Sequence, residues 1–195
     1  MTYLRNLLAI IGALAILAGV AVSPYVMEVR ERVSGFDDGA FDAYRDMALK
    51  LLETGSLVEA TVWKAQVNPD LSVEDVDQTI KFVANEHNIK NVGELPLYKQ
   101  VEAMSGQPYR FVKIYMFCNA LTAAKMLNYS DAFAAYLPCR LSLVEDKQGR
   151  LWIYTLNMDP MIYGGEPLPT ALKQEALNVK AIMQDVLKRG ASGDF

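Results

Sequence analysis

Three side chains in this sequence have the intrinsic chemistry to carry a redox change, ligate a metal or haem, or act as a nucleophile: Cys118, Cys139 and His87, the only cysteines and the only histidine in the chain. Their spacing supports little of that chemistry. The cysteines do not form a CxxC redox pair, and no basic residue flanks Cys118 to stabilise a thiolate. His87 has no second histidine and no acidic cluster near it, so a closed four-ligand metal site is hard to assemble around it. A disulfide requires the two Cα atoms within about 7 Å. Between Cys118 and Cys139 lies a helical crossover, which would put the cysteines at opposite sheet edges if their strands were parallel neighbours. A break at Asn128-Tyr129-Ser130 would fold the chain back and leave a bridge open, worth about 3 kcal/mol in an oxidising compartment.

Strand periodicity suggests what the cysteines do instead. Successive residues of a strand point to opposite faces. In Arg110–Cys118, the set Val112, Ile114, Met116 and Cys118 carries no charge and is expected to face the core; Cys139 falls in phase with Leu141 and Leu143 in the next strand. Both cysteines thus read as small packed hydrophobes. The alternate set, Phe111, Tyr115 and Phe117 with Lys113 at its rim, is expected on the opposite face of the sheet, joined by Trp152, Tyr154 and Leu156 from the last strand. Such an aromatic surface would be an interface or ligand face, unless the helix over Ala43–Leu52 or the C-terminal helix covers it. The remaining reading is a redox, haem or small-molecule site using Cys118 with His87 and methionines. No nucleotide-binding glycine motif, nucleophile elbow or zincin motif is present, and no catalytic residue can be assigned.

The elements that must position these residues read in mixed order. An amphipathic helix with Phe41, Tyr44, Ala48 and Leu51/Leu52 at helical spacing ends at Gly55; it is expected to pack on the domain, the alternative being the membrane surface. A strand is expected over "SLVEATVWKAQV", then a helix opened by Ser72 with Val73, Val76, Ile80 and Val83 on one face and His87 at its last turn. A short strand and a loop containing Pro96 follow. Next come the strand ending at Cys118, a helix interrupted near Asn128, a hairpin turning at Gly149, and a final helix with Leu172, Ala176, Val179, Met183 and Val186 on one face. The pattern predicts an α+β fold: a mainly antiparallel sheet with helices packed on one face, preceded by a single transmembrane helix.

That transmembrane helix is the firmest functional signal. Leu7–Met27 contains no charge and, as a helix, would span about 31 Å, enough to cross a hydrocarbon core. The run exceeds a signal-peptide core, so an uncleaved anchor is expected. Arg5 before it nearly balances Arg30 and Arg32 behind it; the short N-terminal tail favours an inner-membrane, single-pass anchor with a periplasmic C-terminal domain. Four regions follow: an anchor over 1–27, a stalk and amphipathic helix over 28–57, the α+β domain over 58–191 and a tail over 192–195. Beyond the anchor the chain carries 18 basic and 23 acidic residues, a net of −5 with no basic cluster, which argues against nucleic-acid binding. The bilayer, through residues 7–27, is the one partner these residues specify.

The segments "ELPLYKQVEAMSGQP", "KIYMFCNALTAAKML" and "YLPCRLSLVEDKQGRLWIYTLN", with Leu137-Pro138-Cys139-Arg140 and then Glu145-Asp146 and Gly149 before an aromatic strand, resemble the bacterial and archaeal "domain of unknown function 302" family over about Val58–Ala191. Asn119-Ala120 departs from the Asn-Pro pair common there. The resemblance implies a small α+β domain that tends to dimerise. It carries no catalytic residues, and it suggests by association a membrane complex of sulfur or respiratory metabolism as partner.

Overall fold

The charge-free N-terminal run is built as a helix. In the computed structural model, which describes residues 2–195, α1 runs Thr2–Ser34 and buries no residue. It is the one helix among the described residues long and apolar enough to cross a membrane. Its last residues, read in the sequence as a stalk, continue the helix and carry an Arg32–Glu28 pair one turn apart at 2.9 Å. After a short turn, α2 (Ala40–Thr54) turns Ala40 and Ala43 inward and ends at Gly55, whose positive φ of 65° suits glycine. The stripe expected to pack on the domain is largely exposed instead: Phe41, Leu51 and Leu52 face outward, and Tyr44, also exposed, reaches the domain only through its hydroxyl.

Ser56, expected within a strand, caps a short helix, α3 (Leu57–Ala60), by accepting the Glu59 N–H. Then come β1 (Val62–Gln66) and α4 (Val73–Glu86), opened by a capping box in which Ser72 and Asp75 satisfy each other's backbone N–H. Pro96 stands just before an unexpected helix, α5 (Leu97–Ser105), which follows β2 (Lys90–Leu95) where the sequence suggested a loop. A proline costs nothing there, because the first helical N–H groups lack intrahelical partners anyway. β3 (Val112–Cys118) leads into α6 (Ala120–Tyr129) and a 3-10 turn (Asp131–Tyr136). β4 (Cys139–Glu145), β5 (Leu151–Leu156), α7 (Asp159–Tyr163) and α8 (Thr170–Ser192) complete the chain.

The five strands form one antiparallel sheet in the order β1-β5-β4-β3-β2. α4 and α8 cross one face. Val76, Ile80 and Val83 from α4, with Ala176, Met183 and Val186 from α8, close over Tyr115, Leu141, Leu143 and Ile153, and all of them are essentially inaccessible. Each large apolar side chain so buried contributes about 1.5–3 kcal/mol. The fold is therefore α+β with a helical layer on one face. The turn between α1 and α2 is fastened to this body. Asp37 accepts from Lys173 on α8, which with the Gly39 N–H holds its carboxyl below the usual range, and the Asp37 N–H donates to the Gly165 carbonyl at 2.8 Å. The Tyr44 hydroxyl donates to the carbonyl of Gly164.

Candidate functional site

The sheet has a covered face and an open one, and β3 presents them opposite to the sequence expectation. Tyr115 and Phe117 are fully buried under the helices, and Phe111 is half-buried against Tyr98 at a ring separation of 4.9 Å. They are not an exposed interface. Ile114 and Met116 lie on the open face, in register with Ser142 and Arg140 of β4. The inversion has an electrostatic cause. Lys113 shares the covered face and looked solvent-seeking, but its ammonium meets Asp77 and, at 2.6 Å, Glu94, leaving its side chain 15% exposed. The Tyr115 hydroxyl donates to Asp77 as well. With charge and hydroxyl neutralised inside, the large rings fill the space beneath the helices and the smaller aliphatics are left outside. Burial pushes the Asp77 carboxyl up, but hydrogen bonds from Lys113, Lys81 and Tyr115 outweigh it and hold the group below its ordinary value. Burial, with Asp77 beside it, pushes the Tyr115 phenol far up.

Trp152 and Tyr154 do lie on the open face with Leu156, as expected. Trp152 is held by its indole N–H on Asp146 at 3.1 Å and by the cations of Lys64 and Arg150 over its ring. Asp146 organises the hairpin. Hydrogen bonds from the Arg150 and Gln148 N–H groups, the Arg150 guanidinium and Trp152 overcome its partial desolvation and lower it to about 2. Across the open face Val62, Ile114, Met116, Val144 and Tyr154 are half-buried, and none belongs to the core cluster.

The second feature is at the sheet end where β3 stops and β4 starts. Because these strands are antiparallel, the residues expected at opposite edges are neighbours: Phe117 pairs with Cys139, and Cys118 is next along. The 3-10 turn after Ser130 supplies the fold-back. By its pleat Cys118 belongs with the open-face set; as the last strand residue it borders the same cavity as Cys139. Both are free, half-buried thiols. Burial, helped by the nearby Cys118, pushes the Cys139 thiol up to about 11, so it is neutral at physiological pH. The cavity holds about 40 Å³ and is also lined by Met126, Met158 and Met161. The available signal was their position: Met158 and Met161 sit one helical turn apart directly after β5.

His87 does not join this group. It terminates α4 and its Nε2 pairs with Asp185 of α8 at 2.7 Å, which, with Arg189, lowers the Asp185 carboxyl. The cavity itself is far smaller than the roughly 300–1,000 Å³ of a typical cofactor pocket. Among the described residues no group of three or more His, Cys, Asp or Glu converges on one point.

The family model described as "Domain of unknown function DUF302" matches residues 64–190. This chain belongs to the DUF302 family. The match begins within β1 and ends within α8, so it covers nearly all of the sheet, the helical layer and the cysteine cavity, and leaves α1–α3 outside. Among solved structures, the crystal structure of an uncharacterized conserved DUF302 protein from Bacillus stearothermophilus is similar. It has 16% identity and a TM-score of 0.54, and the similarity covers 66% of this chain and 97% of that one. At that identity the likeness concerns the fold alone. No curated protein matches this DUF302 chain.

Proposed function

We propose that this DUF302 chain is a single-pass, membrane-tethered, extracytoplasmic binding domain that pairs with a second copy of itself through the open face of its sheet. The apolar open face carries this reading. Ile114, Met116, Val144, Trp152 and Tyr154 lie on this face outside the core, around Ser142 and Arg140, with Leu156 39% exposed at its border. Isolated soluble domains rarely keep such a face uncovered, and aromatic residues are preferred interface anchors. The helix α1 adds a second support. Confinement to a bilayer raises the effective concentration of one copy for another, so a modest interface suffices. The short tail before the span favours export of the domain. A pair of this kind, accessory to a larger membrane complex, is the role that fits a domain without an assigned catalytic constellation.

The test uses the full chain in lipid nanodiscs and detergent micelles. Ser142 lies on the open face of the central strand β4. Ser142→Cys, in a Cys118→Ser, Cys139→Ser background, should cross-link into a covalent pair, and Ile114→Asp or Tyr154→Asp should abolish the cross-link while the far-UV spectrum is retained. A full chain whose mass stays that of a monomer over a hundredfold concentration range would sink the reading.

A further inference from the structure

Both cysteines of the chain and three of its nine methionines border one small cavity. They arrive from four places: Cys118 from the end of β3, Cys139 from the start of β4, Met126 from α6, and Met158 and Met161 from the start of α7. Met126 and Met158 are nearly inaccessible, at 4% and 5% exposure. The rest of the lining is apolar apart from Asn119 and the hydroxyl residues Thr122 and Tyr136. Asn119, the polar side chain nearest the thiols in sequence, spends its oxygen on the N–H groups of Leu121 and Thr122 as the cap of α6. No carboxylate or imidazole borders the cavity.

This donor set selects strongly. Magnesium and calcium require oxygen ligands, and zinc sites are built from thiolates with imidazoles or carboxylates to a count of four. Two thiols with thioethers suit a soft ion that accepts low coordination numbers, which is cuprous copper. A volume of about 40 Å³ admits a single ion and excludes an organic cofactor.

We propose that this cavity is a cuprous-ion site, with Cys118 and Cys139 as thiolate ligands and Met158, Met161 and Met126 as thioether donors. Binding releases the thiol protons to solvent as the Cu–S bonds form. Copper arrives and stays as Cu(I), so no electron is transferred. Access is through a groove of about 360 Å³ floored by open-face residues including Ile114, Ser142 and Tyr154. It shares Tyr136, Cys139, Met158 and Met161 with the cavity. The cysteines and methionines therefore stand between the open face and the interior, where an ion could pass to them from a partner seated on that face. The proposal stands without the pairing reading, since all the donors lie in one chain.

Anaerobic titration of the full chain in detergent micelles with Cu(I), against a chromophoric cuprous chelator, tests it. One ion per chain is expected, with only sulfur in the first shell by copper K-edge absorption. Loss of an outer-shell partner weakens metal sites by about 10–100-fold; loss of a ligand should do more, so Cys139→Ser should weaken binding by more than about 100-fold. Met158→Leu with Met161→Leu nearly conserves volume, keeps the fold and should weaken binding by at least about tenfold. Met27→Leu with Met104→Leu, both exposed outside the cavity, should leave it unchanged. Unchanged affinity in the Met158/Met161 variant would reduce the site to two thiols binding copper adventitiously and overturn the proposal. So would an oxygen or nitrogen shell, or no competition with the chelator.

Discussion

At Asp77 one carboxylate answers three donors: the ammonium groups of Lys113 and Lys81, the latter at 2.8 Å, and the hydroxyl of the buried Tyr115. The group is mostly enclosed, with its side chain 22% exposed, so removing its charge leaves neighbours that water reaches poorly. Asp77→Asn should destabilise the domain by about 1–3 kcal/mol at pH 7, the cost of an unsatisfied buried polar partner, moderated because Glu94 still faces Lys113. The pH dependence has a definite sign. Asp77 has a lowered pKa in the folded state, so its contribution is fully present well above the ordinary carboxylate value of about 4 and is lost as pH falls below that value and through the lowered folded-state one. Urea unfolding of both proteins should show the gap between them shrinking from pH 5 to pH 3. A constant gap would mean that the charge of Asp77 is not what stabilises the fold. This cluster also explains where sequence reading failed. Lys113 alternates with Tyr115 and Phe117 on one face, and a lysine in a set normally marks the wet side. Its compensating acids lie on α4 and β2, 36 and 19 residues earlier, and no local pattern announces them.

Among elements, those with complete local instructions were legible. The Ser72–Asp75 cap, the faces of α4 and α8, the Gly149 hairpin and the phase of β4 and β5 all follow from neighbours within a few residues, and each is present. Where tertiary pairing decides, the sequence was insufficient. The direction of β4 against β3 depends on the 3-10 turn after Ser130, and the sulfur donors converge only once that turn is made. The crossing of α8 over α4 offers a direct test of how tightly the layer is built. At Gly190 an added Cβ would approach Ile153 Cδ1 and Ile80 Cγ1 at 3.0 Å. Gly190→Leu must therefore separate the helix from both α4 and the sheet, at about 1–3 kcal/mol of overpacking. For a chain of this size each kcal/mol lowers the thermal midpoint by about 2–4 °C. Calorimetry of the variant should show that loss, and a midpoint equal to the parent's would mean that the crossing is loosely packed.

Over the whole molecule, chain length would set the position of the domain relative to a bilayer that α1 spans as proposed. α1 has 33 residues and a length of about 50 Å, against roughly 30 Å of hydrocarbon. Beyond Met27, the end of the charge-free run, seven residues of helix continue to Ser34, about 10 Å and little more than the headgroup layer. α2 begins at Ala40 after a turn that Asp37 fixes to α8, so with α1 spanning as proposed α2 would enter at the level of the bilayer surface. There it exposes Phe41 at 75% and Leu52 at 81%, with Leu57 and Val58 of α3 at 57% and 73%, while Ala40 and Ala43 hold it to the domain. An apolar stripe on a helix tied to a membrane anchor is suited to lie in the interface plane. We expect the α2–α3 edge to rest in the headgroup region. In liposomes containing brominated lipid, Phe41→Trp should add a quenched, blue-shifted emission to that of Trp63 and Trp152. Leu121→Trp, at a position 77% exposed on α6 and outside the α2–α3 edge, should add an unquenched one. Equal quenching of the two would mean that α2 stands clear of the bilayer and that its stripe serves another surface.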